Sequence, residues 1–262
     1  MSQLLNQLIE TKRAESKKLL SVFLTAGYPR LEDTVDIVLS LADAQVDFIE
    51  LGIPFSDPIA DGPVIQETSN KALKNGIQLS KILEMENQVR NKSSIPILLM
   101  GYLNPIYKMG IEEFIQQAHI AGADGLIIPD WPIEESNSYS GLLQENDLDL
   151  VHLIAPNTPV ERIRKIDEAS TSFIYCVAYT GVTGKDNKPT EETIRFFTTL
   201  QQKITHPFMI GFGIKSRQDY QNYTEYADGI IVGSAFLKLL SELTGENRNE
   251  KIKKFITHFR EP

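Results

Sequence analysis

Apolar positions along the chain follow two periods, and their alternation predicts the architecture. Short, nearly continuous apolar runs fall at 19–25, 46–51, 95–102, 124–128, 148–154, 173–178, 207–211 and 228–232. Runs of this length fit strands buried on both faces of a parallel sheet. Between them apolar residues recur at helical spacing, as in Leu31, Val35, Val38, Leu39 and Leu41. The same pattern predicts helices over 64–74, 79–90, 111–121, 134–145, 159–169, 190–204, 216–226, 234–243 and 248–259. Another, through Leu4, Leu5, Leu8 and Ile9, precedes the first strand. Gly122 is a stop signal, and Thr190, ahead of Glu191 and Glu192, is a cap.

Strands that alternate with helices call for parallel pairing through crossovers. Eight such units is the count of a closed (β/α)8 barrel. The expected fold class is therefore α/β: one TIM-barrel domain over residues 1–262, with an extra N-terminal helix and extra helices after strands two and eight. The rival is a doubly wound open sheet. Its dinucleotide turn would follow strand one, where Gly27-Tyr28-Pro29 is not G-x-G-x-x-G.

Composition narrows the function. The 262 residues are 42% hydrophobic and 23% charged, with a net charge of −9, which argues against a nucleic-acid groove or an anionic membrane surface. The single cysteine, Cys176, allows neither an intrachain disulfide nor a cysteine zinc cluster, and core packing is its expected role. The N-terminal stretch lacks the apolar core of a signal peptide, and no run reaches the length of a membrane span. A cytoplasmic protein is expected.

The chemistry gathers around residues 49–63. Glu50 is a lone carboxylate inside the apolar run 46–51, on the same strand face as Phe48. A charge is costly there, so general acid/base work is favoured over an idle acid or a pairing with a buried base. Asp61 follows in a loop rich in Pro and Gly. Alone it fits an Asx turn or a helix cap equally well; opposite Glu50 it makes an acid pair. Three glycine turns follow the last three strands: Thr180 to Gly184, Gly211 to Ile214, and Gly233 to Ala235. The glycines could merely turn the chain. Two of them occupy the register where barrels build phosphate sites at a short helix, so an anion site is expected at Gly213, Gly233 and Ser234. Tyr102 and Tyr175 point to the barrel mouth, as core aromatics or as pocket walls. Of the histidines, His119 and His258 are expected at the surface, His152 as a satisfied core residue, and His206 on the non-catalytic face. None has metal-ligand spacing.

These motifs, Glu50-Leu51-Gly52, Phe55-Ser56-Asp57-Pro58 and Ala60-Asp61-Gly62-Pro63, resemble the signature of the tryptophan synthase alpha subunit family. Leu24 to Pro29, Tyr102 to Pro105, Pro129-Asp130 and Gly181 to Gly184 follow in the family's order, so the resemblance spans nearly the whole chain. One departure precedes the last motif: Ala178-Tyr179-Thr180 stands where the family often has Ser-Arg. The resemblance implies reversible retro-aldol cleavage of indole-3-glycerol phosphate to indole and glyceraldehyde 3-phosphate. Glu50 would be the general acid/base, and Asp61 would stabilise the indolenine cation. Phe23, Tyr102, Tyr175, Thr183, Gly184, Phe212, Gly213, Gly233 and Ser234 would bind substrate. It also implies no cofactor in this chain, and a pyridoxal-phosphate-dependent beta subunit in an α2β2 assembly, met by Pro54, Asp57 and Pro58. The alternatives are another phosphate-binding barrel, such as an isomerase or the indole-glycerol phosphate synthase, and a regulatory barrel without turnover. The synthase is expected to carry a catalytic lysine on a strand, and the strand interiors here hold none.

Overall fold

The computed structural model describes residues 2–177, 189–211, 213–243 and 247–260. The expected barrel is its architecture. Helix α1 (Gln3–Ala14) precedes β1 (Leu19–Thr25), α2 (Asp33–Asp43) and β2 (Phe48–Gly52). Two helices follow β2, α3 (Pro63–Lys74) and α4 (Leu79–Arg90), and lead to β3 (Ile97–Met100). Then come α5 (Leu103–Met109), α6 (Ile111–Ala121), β4 (Gly125–Ile127) and the short α7 (Ile133–Ser136). A 3-10 turn (Asn137–Tyr139) joins α7 to α8 (Ser140–Glu145), and β5 (Asp149–Val151) and β6 (Leu153–Ile154) follow. The remainder runs through α9 (Val160–Ala169), β7 (Ile174–Val177), α10 (Glu191–Lys203), β8 (Phe208–Gly211), α11 (Arg217–Thr224) and β9 (Gly229–Val232). It ends on the pair α12 (Ser234–Glu242) and α13 (Arg248–Arg260).

All strand pairs are parallel, in the order β5-β4-β3-β2-β1-β9-β8-β7-β6. The two ends of this order, β5 and β6, are halves of the one strand expected over 148–154. They part at His152, where the segment leaves β4 and joins β7. The strand count therefore rises to nine pieces while the ring remains that of an eight-stranded barrel. Two further departures concern helices. The helix expected over 134–145 is interrupted by the 3-10 turn, and α5, which contains Pro105, was not among the expected helices. Pro105 is the third residue of α5, where a missing N–H costs no helical bond. The predicted helix ends hold: Gly122 closes α6 at φ +96°, and the Thr190 hydroxyl accepts from the Thr193 N–H.

Alternation along the strands makes two cores. Leu19, Phe48, Leu98, Ile127, Val151, Phe173, Met209 and Ile231 turn into the barrel, with Leu5 and Ile9 of α1 packed among them. The other faces pack against the helices. Aspartates at or beside the strand starts secure that closed end. Asp47 accepts the Leu20 N–H at 2.8 Å and pairs with Lys12 at 2.7 Å and with Arg260. Asp124 accepts the Ile97 N–H at 2.9 Å and the Ser2 hydroxyl at 2.7 Å. Asp149 accepts from Ser2 N–H and Asn6, and Asp228 from Phe208 N–H. Each carboxylate thus satisfies backbone or side-chain donors that strand or helix ends would leave open.

Asp47 is the most connected of these groups. Asp47→Ala would leave the Leu20 N–H without this acceptor and both cations without this counter-charge. Breaking a buried pair from one side costs about 3–5 kcal/mol. Urea unfolding of the variant is expected to show a loss in that range. A loss below about 1 kcal/mol would place Asp47 with solvated surface pairs instead.

Candidate active site

The site grows from β2, whose five residues are all buried. Glu50 pairs in register with Phe23 on β1 and Leu98 on β3, so neighbouring strands enclose it. It is 0% exposed, and neither carboxylate oxygen has a hydrogen-bond partner among the described residues. Burial pushes its pKa from the ordinary 4.5 to about 8. The proton therefore stays on the carboxyl at neutral pH, which a general acid needs.

Asp61 arrives from the other direction, on the loop that links β2 to α3. Phe55 of that loop stacks on Tyr102, with ring centroids 5.5 Å apart. The Tyr102 hydroxyl accepts the Ala60 N–H at 2.9 Å and also hydrogen-bonds Asp61. Tyr102, expected as a wall, thus anchors the loop beside the second acid. Burial raises Asp61 to about 6, with the Tyr102 hydrogen bond opposing the rise. Tyr175 on β7 is pushed well above its usual range, first by burial and then by the charges of Glu50 and Asp61. Both acids and this phenol share one neighbourhood.

A cavity of about 290 Å³ opens at the strand C-terminal ends. Phe23, Asp61, Tyr175, Gly213, Gly233 and Ser234, all expected site residues, line it together with apolar Ile65, Met100 and Ile231. Two glycines make room for its aromatics. A Cβ on Gly211 would meet the Tyr175 hydroxyl at 2.1 Å, and one on Gly52 would meet the Phe23 ring at 2.5 Å. Glu50 does not line the cavity. It lies one pleat below Gly52, which the Phe23 ring covers. At the other end Gly233 caps α12, so free helix N–H groups face the space beside Gly213 and Ser234. Lys215 and Lys238 add positive charge there, and the sequence reading passed over both. Lys238 lies four residues after Ser234, one helical turn away on the same face, and that spacing was the available signal. Thr183, Gly184 and Phe212 lie outside the described residues, as does the departure at 178–180.

This is a barrel mouth with one buried and one half-buried acid and a cationic, amide-rich end. Residues 9–261 match the tryptophan synthase alpha chain family. The chain belongs to that family. It is 45% identical over 248 residues to the tryptophan synthase alpha chain of Christiangramia forsetii, covering 94% of this chain and 97% of that one. The crystal structure of tryptophan synthase subunit alpha from Legionella pneumophila superposes with a TM-score of 0.90 at 34% identity, covering 99% and 97% of the two chains. A chain of the tryptophan synthase a2b2 complex from Pyrococcus furiosus matches with a TM-score of 0.85 at 36% identity, covering 92% and 97%. Membership places the chain in tryptophan biosynthesis.

The other expected positions divide by exposure. Pro54 is buried within this chain, Asp57 is exposed and Pro58 half-buried. Ile59, an apolar residue of the same loop, is 85% exposed beside them. Cys176 is fully buried, as expected of a packing residue. His206 sits before β8 and bonds Asp167 through its backbone N–H and Nδ1, both at 3.0 Å. His119 and His258 are exposed. Among the described residues, no group of His, Cys, Asp and Glu is arranged to hold a metal ion, and no helix is long and apolar enough to cross a membrane.

Burial of Glu50 has a measurable cost to stability. The unfolded chain releases this proton near 4.5, while the native state holds it to about 8. Stability therefore falls as pH rises between those values, and the full penalty is reached above pH 8. Glu50→Gln has no such titration. Its stability relative to the parent is expected to improve from pH 5 to pH 8.5 in urea unfolding. An equal difference at both pH values would mean that native Glu50 titrates normally.

Proposed function

We propose that the chain cleaves indole-3-glycerol phosphate reversibly into indole and glyceraldehyde 3-phosphate, as a carbon–carbon lyase of the aldolase type. The observation that carries this reading is Glu50, a fully buried carboxyl held protonated near neutrality beside a mouth that already contains a second acid. Breaking the bond between the indole ring and the glycerol carbon requires a proton on ring carbon three. The adjacent hydroxyl must lose one. A carboxyl with a raised pKa serves both transfers. Protonated at that carbon, the ring becomes an indolenine cation, and the Asp61 carboxylate would stabilise it near the ring nitrogen.

The phosphate would sit at the N-terminus of α12, against the amides near Gly213, Gly233 and Ser234, with Lys215 and Lys238 adding charge. Apolar Ile65, Met100 and Ile231 would hold the ring, walled by Phe23 and Tyr175. Because Phe23 covers Gly52 above Glu50, either that ring or the Glu50 side chain must shift for the carboxyl to reach substrate. The reaction needs no cofactor from this chain, and we place it in the cytoplasm.

Activity should require Asp61 ionised and Glu50 protonated. With pKa values of about 6 and about 8, kcat/KM for cleavage is expected to trace a bell with its maximum near pH 7. The acid limb reports loss of the Asp61 anion and the alkaline limb loss of the Glu50 proton. Glu50→Gln should lower turnover by about 10²–10⁴-fold and remove the alkaline limb. Turnover at the parent rate in a folded variant would exclude Glu50 from the mechanism.

The released indole would pass to a pyridoxal-phosphate-dependent beta subunit in an α2β2 assembly. Exposed Asp57, half-buried Pro58 and strongly exposed Ile59 belong to the accessible stretch of the loop that would dock there, with buried Pro54 as its root. Docking would order the stretch that carries Asp61 and so improve reacting geometry. Saturating beta subunit is expected to raise indole release by the alpha chain about tenfold or more. Replacing Asp57 and Ile59 with Ala should abolish the rise without changing the rate of the chain alone. Activation indifferent to both replacements would refute this docking surface.

A further inference from the structure

The helical layer beside the strand segment 148–154 is interrupted. Helix α7 stops at Ser136, and α8 resumes only at Ser140, after the 3-10 turn. Beneath the break, Leu148, Leu150 and His152 face the helices, while Val151 and Leu153 turn into the barrel. A cavity of about 250 Å³ lies between these layers. Leu143, Leu148, Leu150 and Ala169 give it an apolar floor. Ser136, Ser140, Gln144 and Thr171 give it hydroxyl and amide walls. No charged side chain is among its lining residues.

His152 was expected to be a satisfied core residue; it is buried, but no other described side chain or backbone group hydrogen-bonds its ring. The side chain is only 6% exposed and lines the cavity. Burial, aided by the charge of Arg162, lowers its pKa to about 4, so at neutral pH it offers one N–H donor and one bare nitrogen. The Arg162 guanidinium is itself engaged, forked onto Glu134 at 2.7 and 3.2 Å. The His152 ring borders the cavity, so a hydrogen-bond partner for its bare nitrogen can come from whatever enters there.

We propose that this cavity is a second small-molecule site, separate from the barrel mouth, that binds a neutral single-ring aromatic carrying one hydroxyl. The ring lies on Leu143, Leu148 and Leu150, and the hydroxyl bonds the His152 imidazole. A dry cavity of about 150 Å³ accepts benzene, so this space admits a ring and a substituent. Water would satisfy His152 but would leave the leucine floor wet. A carboxylate-bearing ring would have to shed its hydration with no free cation to receive it.

The test uses phenol as probe and benzoate as its charged counterpart, titrated at pH 7 into the intact chain and followed by NMR. Phenol is expected to shift the His152 ring and the Ser136 and Leu150 amides saturably, with benzoate at least about tenfold weaker. His152→Leu should weaken phenol by about tenfold, because it removes the hydrogen-bonding ring. Gln144 is exposed at the cavity's edge, so Gln144→Trp is expected to fold normally, block phenol and leave indole-glycerol phosphate cleavage unchanged. The proposal is overturned by phenol shifts confined to the barrel mouth, by benzoate binding as well as phenol, or by a folded His152→Leu or Gln144→Trp chain that keeps the parent affinity. Absence of any saturable shift at Ser136, Leu150 and His152 overturns it equally.

Discussion

Exclusion of water from the barrel is the constraint on which the rest depends. Parallel strands closed into a ring leave the inward side chains facing one another, so that Leu19, Phe48, Leu98, Phe173 and Met209 form a packed rod. The same closure surrounds Glu50 with neighbouring strands and holds its proton. The core that stabilises the fold and the environment that prepares the acid are therefore one structure. A site with better-solvated walls would leave Glu50 an ordinary carboxylate at neutral pH, unable to donate. The opposite end of the barrel handles charge differently. There Asp47 and Asp124 keep company with cations and backbone donors.

Much of this was legible because apolar runs and lone polar residues are local signals. Glu50 stood out as a charge in an apolar strand, and Asp61 as an acid in a rigid loop after it. The glycine turns at Gly213 and Gly233 marked the amide-rich end of the mouth because barrel geometry assigns meaning to their position. Other features needed the third dimension. Lys215 and Lys238 look like solvated lysines until the cavity collects them. Gly211 looks like a strand end until the Tyr175 hydroxyl is seen to occupy the space a side chain would need. Helix α5 contains Pro105, and a proline signals a break unless it falls in a first turn. The aspartates at the closed end are scattered in sequence, and only the pairing of strands reveals what they accept.

The loop from β2 to α3 shows how one segment can serve two ends. Its Phe55 and its Ala60 N–H are both held by Tyr102, which makes the section next to Asp61 an ordered extension of the barrel. Its outer residues, Asp57 and Ile59, are free to meet another surface. Contact at the tip and placement of the acid are joined by a few residues of backbone, a short mechanical path.

The division of one strand into β5 and β6 has a consequence for how the chain finds its fold. Among the described residues, every strand pairing but one joins neighbours in sequence: β1 to β2 and onward to β5, then β6 to β7 and onward to β9. Only β1 with β9 brings distant parts of the chain together. The molecule is thus two contiguous half-rings hinged at His152, and closing it demands a single long-range encounter. The entropy of closing a large loop is met once, at the end, after local pairings have brought both edges into shape.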